Sequence, residues 1–205
     1  MKRTMININD PSVNEVEKYL DKWQSLDKYR QQEATFDLLF NDLAHSNDDL
    51  RNIMLKSSVL NDFYSTHIMD ISTVSKHIFD LNIDPRLKVS DETLVGDIAN
   101  VNLADKPRQL ISFASKYCSH HKPEDYPYDG YVSNVLSYFK SRDKFTSIKV
   151  TEFKDYVKFK KAIIDFRSFY GIEKYNLKKV DRYLWQLGKE KFPNPNYSKP
   201  QPKTK

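Results

Sequence analysis

The fold is decided at Lys122-Pro123-Glu124-Asp125-Tyr126-Pro127-Tyr128-Asp129-Gly130-Tyr131-Val132, where one amphipathic segment ends and another begins. Two prolines bracket this loop, and helices usually end before a proline because the residue preceding it avoids the α region. Asp129 stands where the next helix is predicted to begin. It is therefore either an ordinary N-cap or a carboxylate held at the positive end of a helix and aimed at a cation.

Outward from this loop the pattern is helical almost throughout. The chain of 205 residues has only four glycines, too few for an all-β protein full of tight turns. Apolar residues recur at helical spacing, which predicts an all-α fold. We predict helices that start at Asp10-Pro11, with Asp10 as the N-cap, at Asp48, at Asp91, at Pro107 and near Asp129. We predict further helices over 36–43, 74–81, 153–170 and 177–188. Asp84-Pro85 should break the helical pattern that follows residue 74.

Composition limits the class of protein. Aromatic residues make up 13% of the chain, which excludes wholly disordered proteins. We predict one helical domain over residues 1–192 and a disordered tail over 193–205, rich in Pro and Lys. With no long apolar run, no signal peptide and a single cysteine, we expect a cytoplasmic protein with no membrane association.

Metal binding has little support in the sequence. Cys118, His120 and His121 lie close together, but nothing else adds to a His/Cys cluster. A packed thiol beside two histidines explains the same pattern. We predict no metal and no cofactor.

Charge is unevenly distributed. Residues 1–100 contain 11 Lys+Arg and 17 Asp+Glu, whereas residues 101–205 contain 22 and 11. We predict an acidic N-terminal lobe over about 1–100 and a basic C-terminal lobe over about 101–192. The basic half either meets a polyanion or simply solubilises helix surfaces.

Tyr126-Pro127-Tyr128-Asp129-Gly130-Tyr131-Val132 resembles the catalytic motif of the helix-hairpin-helix DNA glycosylase superfamily, where a Val-Pro-x-Asp-x-x-Val stretch carries the catalytic Asp. Two later stretches, at 166–171 and 181–185, resemble the closing helices of 8-oxoguanine DNA glycosylases. The stretch 112–119 is similar to one in bacterial proteins with that fold. The resemblance covers about residues 90–190. It implies a two-lobed helical fold and excision of a damaged or modified base, with Asp129 as the catalytic carboxylate.

The chain departs from this family in two ways. The family's glycine-rich hairpin, which holds a DNA phosphate, corresponds to residues 102–107, where no glycine stands. The family's Schiff-base lysine falls near Leu110, so no lysine matches and lyase activity is not implied. Lys116 lies near that position in the sequence without being its equivalent, and we take it together with Asp129 as a candidate catalytic residue. A fixed carboxylate can stabilise the positive charge that develops on deoxyribose or activate water against it.

The remaining candidate residues would hold DNA, most simply a duplex with one base flipped out. Cations in the basic half are candidates for phosphate contacts, although each taken singly is also typical of solvated surface. Asn61 lies in a polar-aromatic run over 61–66 that either inserts into the gap left by the flipped base or connects two helices. Aromatic residues near the Asp129 loop are candidates for the base pocket or belong to the core. The candidates are Asn61, Lys106, Arg108, Lys140, Arg142, Lys178, Lys179 and Arg182 for nucleic acid, and Phe113, Tyr117 and Tyr128 for the base.

Three functions stay open from sequence. The first is a monofunctional DNA glycosylase that uses water and Asp129. The second is a nucleic-acid-binding module of the same fold without catalysis, favoured by the missing glycines and lysine. The third is a protein-interaction module whose acidic half docks a partner.

Overall fold

The fold is mostly helical, which confirms the predicted all-α class. The structure is a computed structural model that describes residues 7–104 and 106–192. The predicted tail over 193–205 lies outside these residues. The elements are α1 (Val13–Gln24), α2 (Asp27–Asp37), a π-helical turn (Leu38–Leu43), α3 (Leu50–Phe63), α4 (Ile71–Asp80), α5 (Asp84–Lys88), α6 (Leu94–Ala99), β1 (Asn100–Leu103), β2 (Lys106–Gln109), α7 (Ile111–His121), α8 (Gly130–Asp143), a 3-10 turn (Val150–Glu152), α9 (Tyr156–Phe169) and α10 (Leu177–Lys191).

Small polar side chains begin six of the described helices. A Ser, Asp or Asn immediately before the helix accepts a hydrogen bond from a backbone N–H of the first turn, which satisfies one of the donors left free there. This pairing fixes where the chain changes direction and, in the case of Asp129, places the candidate carboxylate. The capping residues are Ser12, Asp49, Asp70, Asp129, Asp155 and Asn176.

The predicted start of the first helix was wrong by two residues. The cap is Ser12, whose hydroxyl accepts from Glu15 N at 3.3 Å, and the helix begins at Val13. Asp10 and Pro11 therefore precede the helix. Asp84-Pro85 was predicted to break a helix, and this was also wrong. Helix α4 has already ended at Asp80, and Pro85 lies in the first turn of the next helix, α5. A proline is tolerated there because an N–H group in the first turn of a helix has no hydrogen-bond acceptor within the helix.

The predicted start of the next helix at Pro107 was wrong as well, although the helix itself is present from Ile111. Residues 106–109 form an antiparallel hairpin with 100–103, in which Pro107 pairs with Asn102. The turn takes Ala104 into the left-handed region at φ 48°. All four residues of β2 are exposed, and α7 starts only at Ile111. A proline is compatible with a short exposed strand because its lack of an N–H costs little at a sheet edge.

Two hydrophobic clusters hold the molecule together. The first contains buried side chains from Phe36 to Tyr126, together with Tyr156. The second contains Ile8, Val16 and Tyr19 together with buried side chains from 132 to 192. Tyr128, just before Asp129, packs against both clusters. Helix α1 thus packs with the C-terminal helices, and α7 packs with the N-terminal ones. The division into an acidic lobe over 1–100 and a basic lobe over 101–192 stays a prediction.

A close helix contact fixes the start of α8. Gly188 on α10 lies so near Tyr131 that a Cβ at position 188 would come within 2.6 Å of the Tyr131 carbonyl oxygen. Only glycine allows the two backbones to approach this far. The contact therefore places α10 directly against the turn that begins at Asp129.

Among the described residues, no helix combines the length and the apolar character needed to cross a membrane.

Candidate functional site

A cleft of about 1040 Å³ is lined by residues that belong to both halves of the chain. Lys116, Ser119 and His120 come from α7, while Asp181 and Trp185 come from α10. This volume is slightly above the roughly 300–1,000 Å³ typical of small-molecule sites. The charged residues lining it are Arg30, Lys116, Lys178, Arg182 and Lys189, against Glu33, Asp37, Asp129 and Asp181.

Asp129 is both an N-cap and a wall of the cleft. Its Oδ1 accepts a hydrogen bond from Tyr131 N at 2.8 Å, and its Oδ2 lies 3.6 Å from Lys116 Nζ. The Asp129 side chain keeps 21% of its surface exposed. A helix N-terminus favours negative charge, and so does a neighbouring ammonium. The structure therefore brings the two sequence-predicted catalytic candidates, Asp129 and Lys116, together at the cleft.

Lys116 is held in place by three neighbours. Its Nζ donates to Ser112 Oγ at 3.0 Å, one turn earlier on α7, and lies near Asp129. The same nitrogen lies 5.1 Å from the centroid of the Tyr64 ring, a cation–π distance. Since 12% of its side chain is exposed, the amine is positioned at the cleft wall and not extended into solvent.

Asp181 is a second carboxyl at the cleft, in different surroundings. Its Oδ1 is shielded from solvent and has no hydrogen-bond partner. Burial raises the pKa of Asp181 to about 7, with a further increase from Asp129 and opposing effects from Lys116 and Arg182. This carboxyl therefore carries a proton over much of the range in which an unperturbed Asp would be ionised.

His120 is a neutral wall residue. Its ring stacks on Phe36, with centroids 4.1 Å apart, and its Nε2 lies 3.1 Å from the Tyr64 hydroxyl. Burial lowers the pKa of His120 to about 3. Cys118 on the same helix is buried, and burial raises its pKa. In the described part of the chain no three His, Cys, Asp or Glu side chains are grouped closely enough to hold a metal ion.

Two of the predicted phosphate-binding cations reach the cleft and are paired there. Arg182 donates to both carboxylate oxygens of Glu33, at 2.6 and 2.5 Å, and Lys178 Nζ lies 2.7 Å from Glu33 Oε1. The Arg182 guanidinium also stacks over the Trp23 ring at 4.8 Å. Both cations hold the pKa of Glu33 below its usual value despite the raising effect of its burial. Glu33 on α2 thus pairs with two cations of α10 and offsets part of their positive charge.

A cluster of aromatic rings forms one end of the cleft. Trp23 and Trp185 meet edge to face, with centroids 5.9 Å apart, and Tyr29 lies 4.9 Å from Trp185. Lys189 Nζ stands 4.5 Å from the Tyr29 centroid. Such rings offer flat apolar faces on which a planar ligand can stack.

The other cations predicted to bind nucleic acid lie elsewhere. Lys106 and Arg108 are exposed on β2, and Lys179 is exposed on α10. Lys140 donates to the Thr146 carbonyl. Arg142 is bound to Asp10 at 2.6 Å and Asp143 at 2.7 Å, so its charge is already neutralised.

Asn61 stabilises its own loop. It lies in the last turn of α3, and its side chain bonds the Thr66 hydroxyl at 2.7 Å and both backbone groups of Ile68, at 2.9 and 3.1 Å. The side chain is therefore occupied within the turn, whereas Phe63, Tyr64 and Ser65 line the cleft.

The predicted base-pocket residues divide into two groups. Tyr128 lines the cleft. Phe113 and Tyr117 do not, because α7 turns them into the first hydrophobic cluster, where they are 1% and 0% exposed. The Tyr117 hydroxyl there donates to Asn47 Oδ1 at 2.6 Å.

Sequence reasoning missed Trp23, Tyr29, Glu33, Asp181 and Trp185 as a site. The first three lie about 100 residues before Asp129 in the acidic half, so no local pattern connects them to it. Asp181 and Trp185 have the i, i+4 spacing of one helix face beside the basic Lys178 and Arg182, a signal that was available.

Comparisons with known proteins give a family but no activity. The family model described as "HI_0787_N: N-terminal domain" matches residues 15–125. This range includes Lys116 and stops before Asp129. A protein of Haemophilus influenzae, titled "Uncharacterized protein", is 46% identical over 138 residues, which are 66% of this chain and 66% of that protein. The match thus spans just under two thirds of that relative. No solved structure matches the chain.

Proposed function

We propose that this chain, which belongs to the HI_0787_N domain family, binds DNA and hydrolyses the N-glycosidic bond of a base flipped into the cleft. The observation that carries the proposal is the Asp129 carboxylate, paired with Lys116 Nζ at 3.6 Å in a cleft lined by aromatic rings. We further propose a cytoplasmic location.

The charge at Asp129 suits this chemistry. As the glycosidic bond breaks, positive charge develops on the sugar, and a fixed carboxylate stabilises it or accepts a proton from the attacking water. Asp129 accepts a hydrogen bond from Tyr131 N at 2.8 Å and lies 3.6 Å from the Lys116 ammonium, so both of its oxygens have a positively polarised neighbour. Lys116 acts as a positioning residue for this carboxylate.

The rest of the cleft supplies the other requirements for excision. A flipped base is commonly read by stacking on aromatic side chains, and Trp23, Tyr29 and Trp185 offer such faces. Lys178 and Arg182 offer cations for phosphates next to the same rings.

The proposed fold is that of the 8-oxoguanine DNA glycosylases. Two hydrophobic clusters with a cleft between helices of each, and a carboxylate at the N-terminus of α8, support it. The hairpin at 100–109 is a departure, since it is a β-hairpin whose turn residue is Ala104. Its exposed Lys106 and Arg108 replace backbone phosphate binding with side-chain contacts in this proposal.

The test incubates the protein with DNA duplexes that carry a panel of modified bases and detects abasic sites by alkaline strand cleavage. We expect Asp129→Asn to reduce excision at least about 100-fold while DNA affinity is retained, because the amide keeps the cap and loses the charge. Asp155→Asn is the matched control. Asp155 also caps a helix, α9, by accepting from Lys158 N at 3.2 Å, but it does not line this cleft.

The alternatives give different results. A non-catalytic binding module keeps full function in Asp129→Asn and loses DNA affinity on charge reversal at Lys178 and Lys179. A protein-interaction module shows no salt-dependent DNA affinity. If the wild-type protein produces no abasic sites with any base of the panel, excision is disproved.

A further inference from the structure

One face of α10 carries three cations and an indole of the cleft in a single row. Lys178, Arg182, Trp185 and Lys189 all line the cleft. They are four, three and four residues apart on one helix, and at about 3.6 residues per turn this spacing keeps them within about 60° of each other around the axis. The row, which we call the α10 row, is about 16 Å long, because each residue adds about 1.5 Å along the axis.

The α10 row is longer than one flipped base requires. Successive nucleotides of one strand rise about 3.4 Å along a stacked duplex, so a row of about 16 Å passes several of them. The cleft volume, about 1040 Å³, is likewise above the range typical of small-molecule sites. The site therefore has room for nucleotides next to the target base.

The charge of the α10 row suits a phosphate backbone. Lys178 and Arg182 pair with Glu33, and Asp181 is the other carboxyl group on α10 that lines the cleft. Even with both carboxyl groups ionised, the three cations of the row leave it with a net positive charge. A polyanion is therefore attracted along the row.

Trp185 lies between two of these cations and belongs to the cluster of rings at the end of the cleft. Arg182 precedes it and Lys189 follows it, about 4.5 and 6 Å away along the helix axis. Trp23 and Tyr29 meet the Trp185 ring nearly edge to face, at 76° and 77°, and are inclined to each other by 28°. All three rings are partly exposed. Proteins bind single strands by this combination of cations that follow the backbone and rings on which bases stack.

The residue predicted to support a flipped base within a duplex is occupied elsewhere. A flipped base leaves a gap between its neighbours, and Asn61 is the residue predicted to fill it. Its side chain instead bonds the Thr66 hydroxyl and both backbone groups of Ile68. A base in unpaired DNA leaves no such gap and requires the least unpairing energy.

We propose that the α10 row, together with Trp23 and Tyr29, binds an unpaired stretch of the strand that carries the target base. A base of this stretch stacks on Trp185, and Arg182 and Lys189 contact the phosphates on either side of it. The protein consequently prefers unpaired DNA to an intact duplex. The identity of the strand as DNA rests on the proposed function.

Tryptophan fluorescence tests the binding, because Trp23 and Trp185 are the two tryptophans of the chain. The protein is titrated with a short oligothymidylate, with a strand of the same length that lacks every base, and with a duplex of that length. We expect the oligothymidylate to quench the fluorescence and to bind at least about 10-fold more tightly than the duplex. The strand without bases should bind without quenching, because it offers phosphates but no rings.

Variants of the row identify the contacts, with affinity measured by the anisotropy of labelled strands. Trp185→Ala should weaken oligothymidylate binding about 5- to 100-fold, and Trp185→Phe, which keeps a ring, should restore most of it. Lys189→Gln should reduce the slope of the logarithm of affinity against the logarithm of salt concentration by about 0.7, the value for one phosphate contact with a single strand. Phe169→Ala is the matched control, since Phe169 is 54% exposed on α9 and does not line the cleft. Thermal unfolding of each variant confirms that it is folded, and Lys189→Gln keeps the test if Trp185→Ala does not fold.

Excision separates this inference from the proposed function. The same modified base is placed in an intact duplex, in an unpaired bubble and in a single strand. We expect excision to be at least about 10-fold faster from the bubble and the single strand than from the duplex, because the unpairing energy is no longer required. Trp185→Ala should reduce this ratio.

The other outcomes are decisive as well. Equal affinity for the oligothymidylate and the duplex, equal quenching by the strand without bases, or an unchanged salt slope in Lys189→Gln overturns the inference and leaves the proposed function standing. Faster excision from the intact duplex does the same. Tight binding of the oligothymidylate with quenching, but without excision from any substrate, disproves the proposed function and supports the single-strand site.

Discussion

At the scale of single residues, Asp129 is both a helix N-cap and a carboxylate at the cleft, two roles that the sequence presents as alternatives. Its Oδ1 caps α8, as the structural interpretation predicts, and its Oδ2 lies 3.6 Å from Lys116 Nζ at the cleft, where the functional interpretation stays a prediction. The two interpretations are compatible because a carboxylate has two oxygens. Substitutions that remove only one property distinguish them.

The cap predicts a stability difference between two variants. We expect Asp129→Ala to lower the free energy of unfolding by about 1 kcal/mol because Tyr131 N–H loses its acceptor. Asp129→Asn should cost only a few tenths of a kcal/mol, since an amide oxygen accepts the same bond. Urea denaturation of both variants measures the difference.

The same pair of substitutions at Asp155, which caps α9, is the matched comparison. It should reproduce the stability difference without affecting excision. Equal destabilisation by Asn and Ala at position 129 would show that the negative charge, and not the cap, provides the stability.

At the scale of elements, α2 is the least deeply packed part of the cleft. Phe36 is its one buried residue among those described. Its attachment to α10 depends on Glu33, which binds Lys178 and Arg182, and on Tyr29, which packs against Trp185. The Glu33 carboxylate therefore occupies the two cations that, in the proposed function, would bind a DNA phosphate.

This arrangement predicts that Glu33→Gln strengthens DNA binding. Removal of the negative charge leaves Lys178 and Arg182 available to phosphates, so we expect affinity for a short duplex to rise about 3- to 10-fold at low salt. Stability should change little, because Glu33 keeps 33% of its side chain exposed and such pairs contribute about 0–1 kcal/mol. Fluorescence anisotropy with labelled DNA measures the affinity.

Glu17→Gln controls for net charge. Glu17 lies on α1 and pairs with Lys174 at 3.3 Å outside the cleft, so its removal should leave affinity nearly unchanged. Weaker binding in Glu33→Gln would show that the pair holds α10 in its binding conformation and does not compete with phosphate.

Most helices were predictable, because their apolar periodicity shows in the sequence. Helix α2 (Asp27–Asp37) was not, since it buries only Phe36 among the described residues and has no side-chain cap. Other wrong predictions fall where two nearby residues could each act as the N-cap of a helix, or where pairing with another segment makes a stretch a strand. Ser12 and Asp10 are both good N-caps, and only the structure shows which one the backbone uses. Residues 106–109 pair with 100–103 around Ala104, and nothing at Pro107 distinguishes a helix start from a strand.

The candidate site was predictable only along one local stretch. Asp129 and Lys116 lie 13 residues apart in the chain, on adjacent helices joined by the proline loop. Glu33 and Trp23 reach the same cleft from the other end of the sequence, by packing that no local pattern encodes. Phe113 and Tyr117 fit an aromatic pocket by composition, but the rotation of α7 directs them into the core.

At the scale of the whole molecule, the hydrophobic clusters do not follow the charge division. Helix α1 belongs to the acidic half of the sequence but packs in the second cluster with α8 and α10. The cleft consequently receives acidic and basic residues together. Net charge alone therefore does not predict where a polyanion would bind, and the exposed cations outside the cleft become the better candidates for long-range attraction.

Lys106 and Arg108 test this point, because both are exposed on β2, which leads directly into the helix that carries Lys116. The logarithm of duplex affinity should fall linearly with the logarithm of salt concentration, with a slope of about 0.9 per phosphate contact. We expect Lys106→Gln with Arg108→Gln to reduce this slope by up to about 1.8, since two contacts are lost.

Arg51→Gln is the control, because Arg51 lies on α3 in the acidic half with 90% of its side chain exposed. A slope that Arg51→Gln reduces as much as the hairpin variant does would mean that DNA senses only the overall charge of the protein. A slope that neither variant changes would place the phosphates on α10, where Lys178, Lys179 and Arg182 remain.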